Sequence, residues 1–323
     1  VWDATTGNNT LTLTHNAWLT TAAWSPNGHY ILTGTRDGTA HVWDATTGNN
    51  TLTLTHNAWL TTAAWSPNGH YILTGTRDGT AHVWDATTGD NTLTFTLTTN
   101  SVIEAMAWSP DGTHFLTGTR DGAAQVWDAT TGNNTLTLTH NAWLTTAAWS
   151  PNGHYILTGT RDGTAHVWDA TTGNNTLTLT HNAWLTTAAW SPNGHYILSA
   201  SEDGAAHIWD ATTGDNTLTL TTNSVIEAVA WSPDGKHILT GTQDGTTRIW
   251  GSTTGEQERF MIITLPEGEC AVLSADRTEV IGASPYAWRW LGRYAKHPGG
   301  ALERIPVEID GPLPPLSHGT ATE

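Results

Sequence analysis

An all-β fold assembled from stacked repeats is what this sequence predicts, and three observations predict it. A Trp ending a short apolar stretch recurs at Trp2, Trp43, Trp84, Trp127, Trp168, Trp209 and Trp250, with a constant period of 41 residues broken by a single step of 43. A fixed period of this size marks a repeat architecture. The composition is the second observation: 19 Trp against 3 Phe and 6 Tyr, 32 Gly, and only 13% charged residues. Aromatic and β-branched residues suit strands, and Gly, Asn and Asp punctuate turns. The third is that every regular repeat carries the same turn signals at the same places.

In the first full repeat, residues 18–25 (WLTTAAWS) form a first strand. The turn SPNG (25–28) follows, with Pro at its second position and Gly at its fourth. Residues 29–35 (HYILTGT) make a second strand, and RDG (36–38) supplies an Asp-Gly hairpin turn. A third strand covers 39–44 (TAHVWD), a loop covers 45–50 (ATTGNN), and a fourth strand covers 51–55 (TLTLT). The last alternates Leu with Thr, as a strand half-facing water does. Four short antiparallel strands cannot bury their own faces, so copies must stack on one another. Radial repetition of such units is a β-propeller.

The copies are of two kinds. Segments 1–41, 42–82 and 126–166 are identical, and 167–207 differs only near its end, where ILSASEDGAAH replaces ILTGTRDGTAH. In 83–125 and 208–248 the words THNAWLTTAAW become TTNSVIEAMAW or TTNSVIEAVAW. The order A-A-B-A-A-B points to a three-repeat block duplicated once. A two-residue insertion within 92–100 (TLTFTLTTN) accounts for the one long step.

This unit resembles the WD-repeat β-propeller family, whose repeat runs from Gly-His to Trp-Asp. Here Thr stands for that Gly (Thr14, Thr55, Thr139, Thr180), while Trp-Asp is kept in five of the six regular units. The resemblance covers residues 1–250 and, more loosely, 251–291. It implies a seven-bladed propeller over 1–291: six regular blades and a divergent seventh, closed by the N-terminal strand 10–14. Residues 292–310 are an extension whose stretch 301–309 is an alternative edge strand, and the Pro-rich 311–323 is expected to be disordered. In texture the tail is similar to the last blade of bacterial WD-repeat arrays.

The resemblance also implies a buried polar chain in each A blade, made of a His, a strand Ser or Thr, the turn Asp and the Trp. Position by position these are His15, Thr35, Asp37 and Trp43; His56, Thr76, Asp78 and Trp84; His140, Thr160, Asp162 and Trp168; and His181, Ser201, Asp203 and Trp209. A His-Asp pair beside a hydroxyl invites a catalytic reading, but a set repeated in every A blade is a structural device, and buried polar groups must satisfy one another. No catalytic residue, cofactor or metal is expected. The B blades have Thr99 and Thr222 in place of the His, and a weaker chain is expected there.

Two positions have no core role. One precedes the turn Asp: Arg36, Arg77, Arg120 and Arg161, then Glu202 and Gln243. The other follows the polar His: Trp18, Trp59, Trp143 and Trp184, with Val102 and Val225 in the B blades. The resemblance places both on the top face around the central channel, where the family binds peptides and proteins. Residues 1–248 contain few other basic side chains, Lys236 and Arg248, so the clustering of four Arg at one position asks for a cause. Arg and Trp are the side chains of binding hot spots. The expectation is a non-enzymatic interaction module that binds a protein or peptide through this ring. The bland reading is that Arg36 merely covers Trp18. A lectin-like propeller, with Trp18 stacking on sugars and Asn16 bonding them, is the alternative.

The net charge of −17 opposes nucleic-acid and anionic-membrane binding, both of which need a basic surface. No run of 18 apolar residues marks a transmembrane helix. A single cysteine, Cys270, leaves no internal disulfide framework and suits a reducing, cytoplasmic compartment; a monomer is expected.

Overall fold

The computed structural model describes the backbone of residues 1, 9–96, 101–264, 270–274, 280–283, 292–296 and 302–306, with side chains for 1, 9–92 and 101–257. All regular structure among these residues is β. The first sheet takes Leu19–Trp24, Tyr30–Thr35, Thr39–Asp44 and Asn50–Thr55 in chain order, each antiparallel to the next. These match the predicted strands to within one residue at each end. Five further units repeat the plan, with inner strands Leu60–Trp65, Ile103–Trp108, Leu144–Trp149, Leu185–Trp190 and Ile226–Trp231. Successive inner strands are neighbours, so six blades follow one another around an axis.

Local chemistry sets each turn. In the first blade Asn27 Oδ1 accepts from the His29 amide at 3.0 Å, and Asp44 Oδ1 accepts from the amides of Thr46 and Thr47. Both are side chains standing in for a backbone turn. The second strand of each of the first five blades is buried on both faces. Leu32, Ala40, Val42 and Leu54 of blade one pack against Leu60, Ala63, Ile72 and Trp84 of blade two. The same set recurs at each of the five described interfaces between successive blades. Each fully buried Leu contributes roughly 1.5–3 kcal/mol. Stability is thus a sum of nearest-neighbour terms along the array.

The two ends of the array differ from its middle. Leu19 is 52% exposed, whereas its copies Leu60, Leu144 and Leu185 are buried, and Leu239 is 40% exposed where Leu32, Leu73, Leu157 and Leu198 are at 0%. Blades one and six thus lack, on one face each, the cover that a neighbouring blade gives the others. Residues 10–14, expected to close the seventh blade, lie outside any strand. Gln257–Thr264 instead pairs with Cys270–Ser274, and that strand with Val280–Ala283, so the sixth sheet has six strands. A local hairpin closes a short loop and costs less chain entropy than pairing with the far N-terminus. Leu302–Pro306 pairs with Gly292–Lys296 in a separate hairpin. The expected disordered tail, 311–323, lies outside the described residues.

Two turn glycines of blade four make a matched test of crowding. Gly153 (φ +74°) and Gly163 (φ +87°) both occupy the left-handed region. A Cβ on Gly153 would approach nothing nearer than Pro110 Cδ at 3.8 Å, but one on Gly163 would stand 2.6 Å from the Ala183 carbonyl oxygen. Gly153→Ala is expected to cost about 1 kcal/mol, the strain alone, and Gly163→Ala about 3 kcal/mol or more, because blade-five backbone must move. Urea denaturation of the two variants measures the difference, and equal midpoints would refute the crowding argument.

Candidate functional site

Backbone pairing joins the two outstanding positions in every blade. The amide of Arg36 donates to the Trp18 carbonyl at 2.9 Å, and the same bond links Arg77 to Trp59, Arg120 to Val102, Arg161 to Trp143, Glu202 to Trp184 and Gln243 to Val225. The Asp-Gly turn therefore holds each side chain beside the residue that leads into the inner strand, at one rim of the ring. Guanidinium and indole then stack. Arg36 lies 4.5 Å from the centre of the Trp18 ring, Arg77 4.6 Å from Trp59, and Arg161 4.6 Å from Trp143.

The contacts also cross between blades. Arg36 reaches Trp59 at 5.8 Å, Arg120 reaches Trp143 at 4.7 Å, and Arg161 reaches Trp184 at 5.5 Å. The result is two ladders, Trp18–Arg36–Trp59–Arg77 and Arg120–Trp143–Arg161–Trp184. The four indoles are between 42% and 72% exposed, far more than an aromatic ring in a core. Each stacked pair is worth about 0.5–1 kcal/mol at such a site. Among the described residues the side chains of Arg36, Arg77 and Arg161 make no hydrogen bond or ion pair, so their N–H groups face water.

Blade three separates the ladders. Val102 replaces Trp there, and Glu104, two residues on, holds Arg120: its Oε1 accepts from Arg120 Nε at 2.7 Å and forms an ion pair with the terminal nitrogen. In the A blades the place of Glu104 belongs to Thr20, Thr61, Thr145 and Thr186; the first three donate to strand carbonyls of their own blades, and Thr186 lies nearest the Ile226 carbonyl of the next blade at 2.6 Å. The sequence pattern signalled this residue only as part of the rewritten word; its pairing with Arg120 needed the register of the strands.

A family model for the WD domain, G-beta repeat, matches residues 7–44, 48–85 and 214–251. A second, described as eukaryotic translation initiation factor eIF2A, matches residues 78–203. Together with five repeated four-stranded sheets and a sixth that extends the same plan, these matches decide the family. The chain belongs to the WD-repeat β-propellers. A search of curated proteins finds no significant match. WD-repeat propellers are in general interaction scaffolds and not enzymes.

The internal polar chain of this WD-repeat propeller exists, with a different hub from the one expected. Trp84 Nε1 donates to Thr74 Oγ1 at 2.7 Å, and that hydroxyl meets His56 Nε2 at 2.8 Å. Trp168, Thr158 and His140 repeat this. Thr76 and Thr160, the expected hubs, donate instead to Asp78 and Asp162. Strand register explains the correction: Trp43 sits opposite Ile31, so its indole reaches diagonally to Thr33, two residues short of Thr35. In blades two and four the other His nitrogen bonds the Gly38 or Gly122 carbonyl of the preceding blade.

Only blade five joins all the expected residues. Trp209 donates to Ser199, Ser199 meets His181 Nε2 at 2.6 Å, His181 Nδ1 meets Ser201 at 3.0 Å, and Ser201 donates to Asp203. In blade one Trp43 bonds Thr33, while His15 Nε2 is buried without a partner. In blade six Thr222 donates to the Gly204 carbonyl that His would otherwise take, and Thr240 holds only Trp250. Position 99 lies outside the described residues.

These groups are tuned for structure. Burial pushes the His56, His140 and His181 imidazoles down to about 4, with a second His ring (His82, His166, His207) adding to the effect. Hydrogen bonds from Thr35 and Thr39 hold the Asp37 carboxyl below the ordinary carboxylate range. Burial raises Asp78 and Asp162, but bonds from Thr76 and Thr80, and from Thr160 and Thr164, outweigh it and leave both low. A neutral His whose hydroxyl partner is fully buried and already accepts from an indole offers no accessible nucleophile.

Proposed function

We propose that this propeller is a non-enzymatic scaffold that binds a protein or peptide through the Trp/Arg rim formed by Trp18, Arg36, Trp59, Arg77, Arg120, Trp143, Arg161 and Trp184, with Glu202 and Gln243 completing the circle. One observation carries the reading: large indoles and guanidiniums are held stacked, side by side, and open to water at one rim. Stacking fixes the rotamers of long side chains in advance, which lowers the entropy cost of binding. Repetition around a ring adds avidity, because a ligand with two suitable segments meets the second site at high effective concentration. The lectin-like alternative has less support, since guanidiniums already lie over the indole faces that a sugar would use.

Affinity purification with the wild type and with the R36A/R77A/R120A/R161A variant tests this. Partners captured by the wild type are expected to be lost from the variant, provided circular dichroism shows the same melt for both. Identical partner sets would reject the rim as the binding face.

A further inference from the structure

We infer that the ligand of this rim is an acidic peptide segment whose carboxylates dock on the stacked arginines, and that Glu104 occupies, at Arg120, the place such a carboxylate takes at Arg36, Arg77 and Arg161. The inference rests on the rim being the binding face and adds the chemistry of what it binds.

Three observations converge. First, the molecule contains its own example of the contact. Arg120 lies 4.7 Å from the ring of Trp143 in the next blade, its own blade having Val102 in place of the indole, and it is the one arginine of the ladders whose donors are taken, by Glu104. Its equivalents Arg36, Arg77 and Arg161 lie 4.5–4.6 Å from the indoles of their own blades and lack the carboxylate. A guanidinium stacked through its face still presents its N–H fork in the ring plane, a geometry that fits a planar carboxylate.

Second, most of the cation sites are taken. An exposed indole ladder could otherwise attract a Lys or Arg of a partner, but guanidiniums already lie 4.5–4.7 Å from the ring centres of Trp18, Trp59 and Trp143, and Arg161 lies 5.5 Å from Trp184. A cationic ligand would meet a like charge. Third, the surroundings select for single negative charges. Each open arginine is followed by an Asp that stays ionised (Asp37, Asp78, Asp162), in a chain of net charge −17. A dianionic phosphate or a nucleic acid would meet more repulsion there than isolated carboxylates do. The arrangement is also unequal. The first ladder offers Arg36 and Arg77 on a shared indole, Trp59, and the second offers Arg161 alone, with Glu202 at the equivalent position of the next blade. Blades one and two are therefore the principal site.

Fluorescence anisotropy with a labelled peptide of alternating Glu and Gly tests this, beside matched peptides with Gln, Lys or phosphoserine in place of Glu. The Glu peptide is expected to bind the wild type, more weakly as salt rises, and in preference to the other three. R36Q/R77Q is expected to weaken it about tenfold or more. E104Q removes the internal competitor and is expected to tighten binding about threefold or more by opening Arg120. Thermal melts show that each variant is folded. Unchanged or weaker binding by E104Q, no loss in R36Q/R77Q, or preference for the Gln, Lys or phosphoserine peptide would overturn the inference. If partner capture is still lost in the quadruple Arg→Ala variant while the Glu peptide does not bind, the rim stands and the acidic ligand falls; if capture ignores the rim, both fall.

Discussion

Acidification from neutral pH is expected to strip this propeller of most of its stability between pH 6.5 and pH 4, the interval between the ordinary and the folded values of its buried imidazoles. The folded state holds His56, His140 and His181 neutral, while the unfolded chain protonates them as the pH falls below 6.5. The unfolded state thus binds more protons throughout the window, and stability falls with falling pH until the folded histidines also protonate near 4. Each is worth about 3 kcal/mol at the low end of that window, so three together rival the whole stability of an ordinary domain. The groups facing His56 are the His82 ring at 5.1 Å, which opposes a second positive charge, and Asp78, which favours it but is held by Thr76 and Thr80. The H56N/H140N/H181N variant is expected to be less stable than the wild type at pH about 7 and to lose the larger part of its pH slope above pH about 4, the rest coming from His82, His166 and His207, which burial also holds low. Urea midpoints across the range decide the matter; a slope unchanged in the triple variant would mean that other groups drive the transition.

How far the sequence reached is clear from particular residues. The blades were legible because a two-fold strand pattern and Asp-Gly turns repeat at a fixed period, and radial stacking is the one way to bury such units. The rim was legible as residue types: four Arg at one position and four Trp at another, in a chain otherwise poor in cations. Its organisation was not. Arg36 bridges Trp18 to Trp59 across a blade boundary, and Glu104 reaches Arg120 across strands, both matters of distance that a linear pattern does not encode. Thr33 and Thr35 are two residues apart on one face of one strand, and only the register of Trp43 tells the hub from its neighbour. The tail was less legible for another reason. Its repeat pattern has decayed, and without the turn Asp nothing in 251–291 dictates which strand pairs with which.

The Thr pair is also where the corrected chain makes its sharpest claim. Thr158→Val is expected to cost about 2–5 kcal/mol, and Thr160→Val no more than about 1–2 kcal/mol, although the two changes are chemically identical. Thr158 is fully buried, and its hydroxyl has two partners. It accepts from Trp168 Nε1 at 2.8 Å and meets His140 Nε2, also at 2.8 Å. The Gly122 carbonyl, 3.0 Å from His140 Nδ1, can only accept, so in the neutral ring Nδ1 carries the proton and Nε2 accepts from Thr158. Valine at 158 keeps the shape but leaves an indole N–H and an imidazole nitrogen buried without partners, beyond reach of water. Valine at 160 releases Asp162, an exposed carboxylate that keeps the amide and hydroxyl of Thr164. Thr158→Ser should be tolerated far better, because Ser199 fills this role in blade five. Denaturant midpoints rank the three variants, and the histidine tautomer is visible in nitrogen chemical shifts. A larger loss in Thr160→Val than in Thr158→Val would restore position 160 as the hub and discard the chain described for blades two and four.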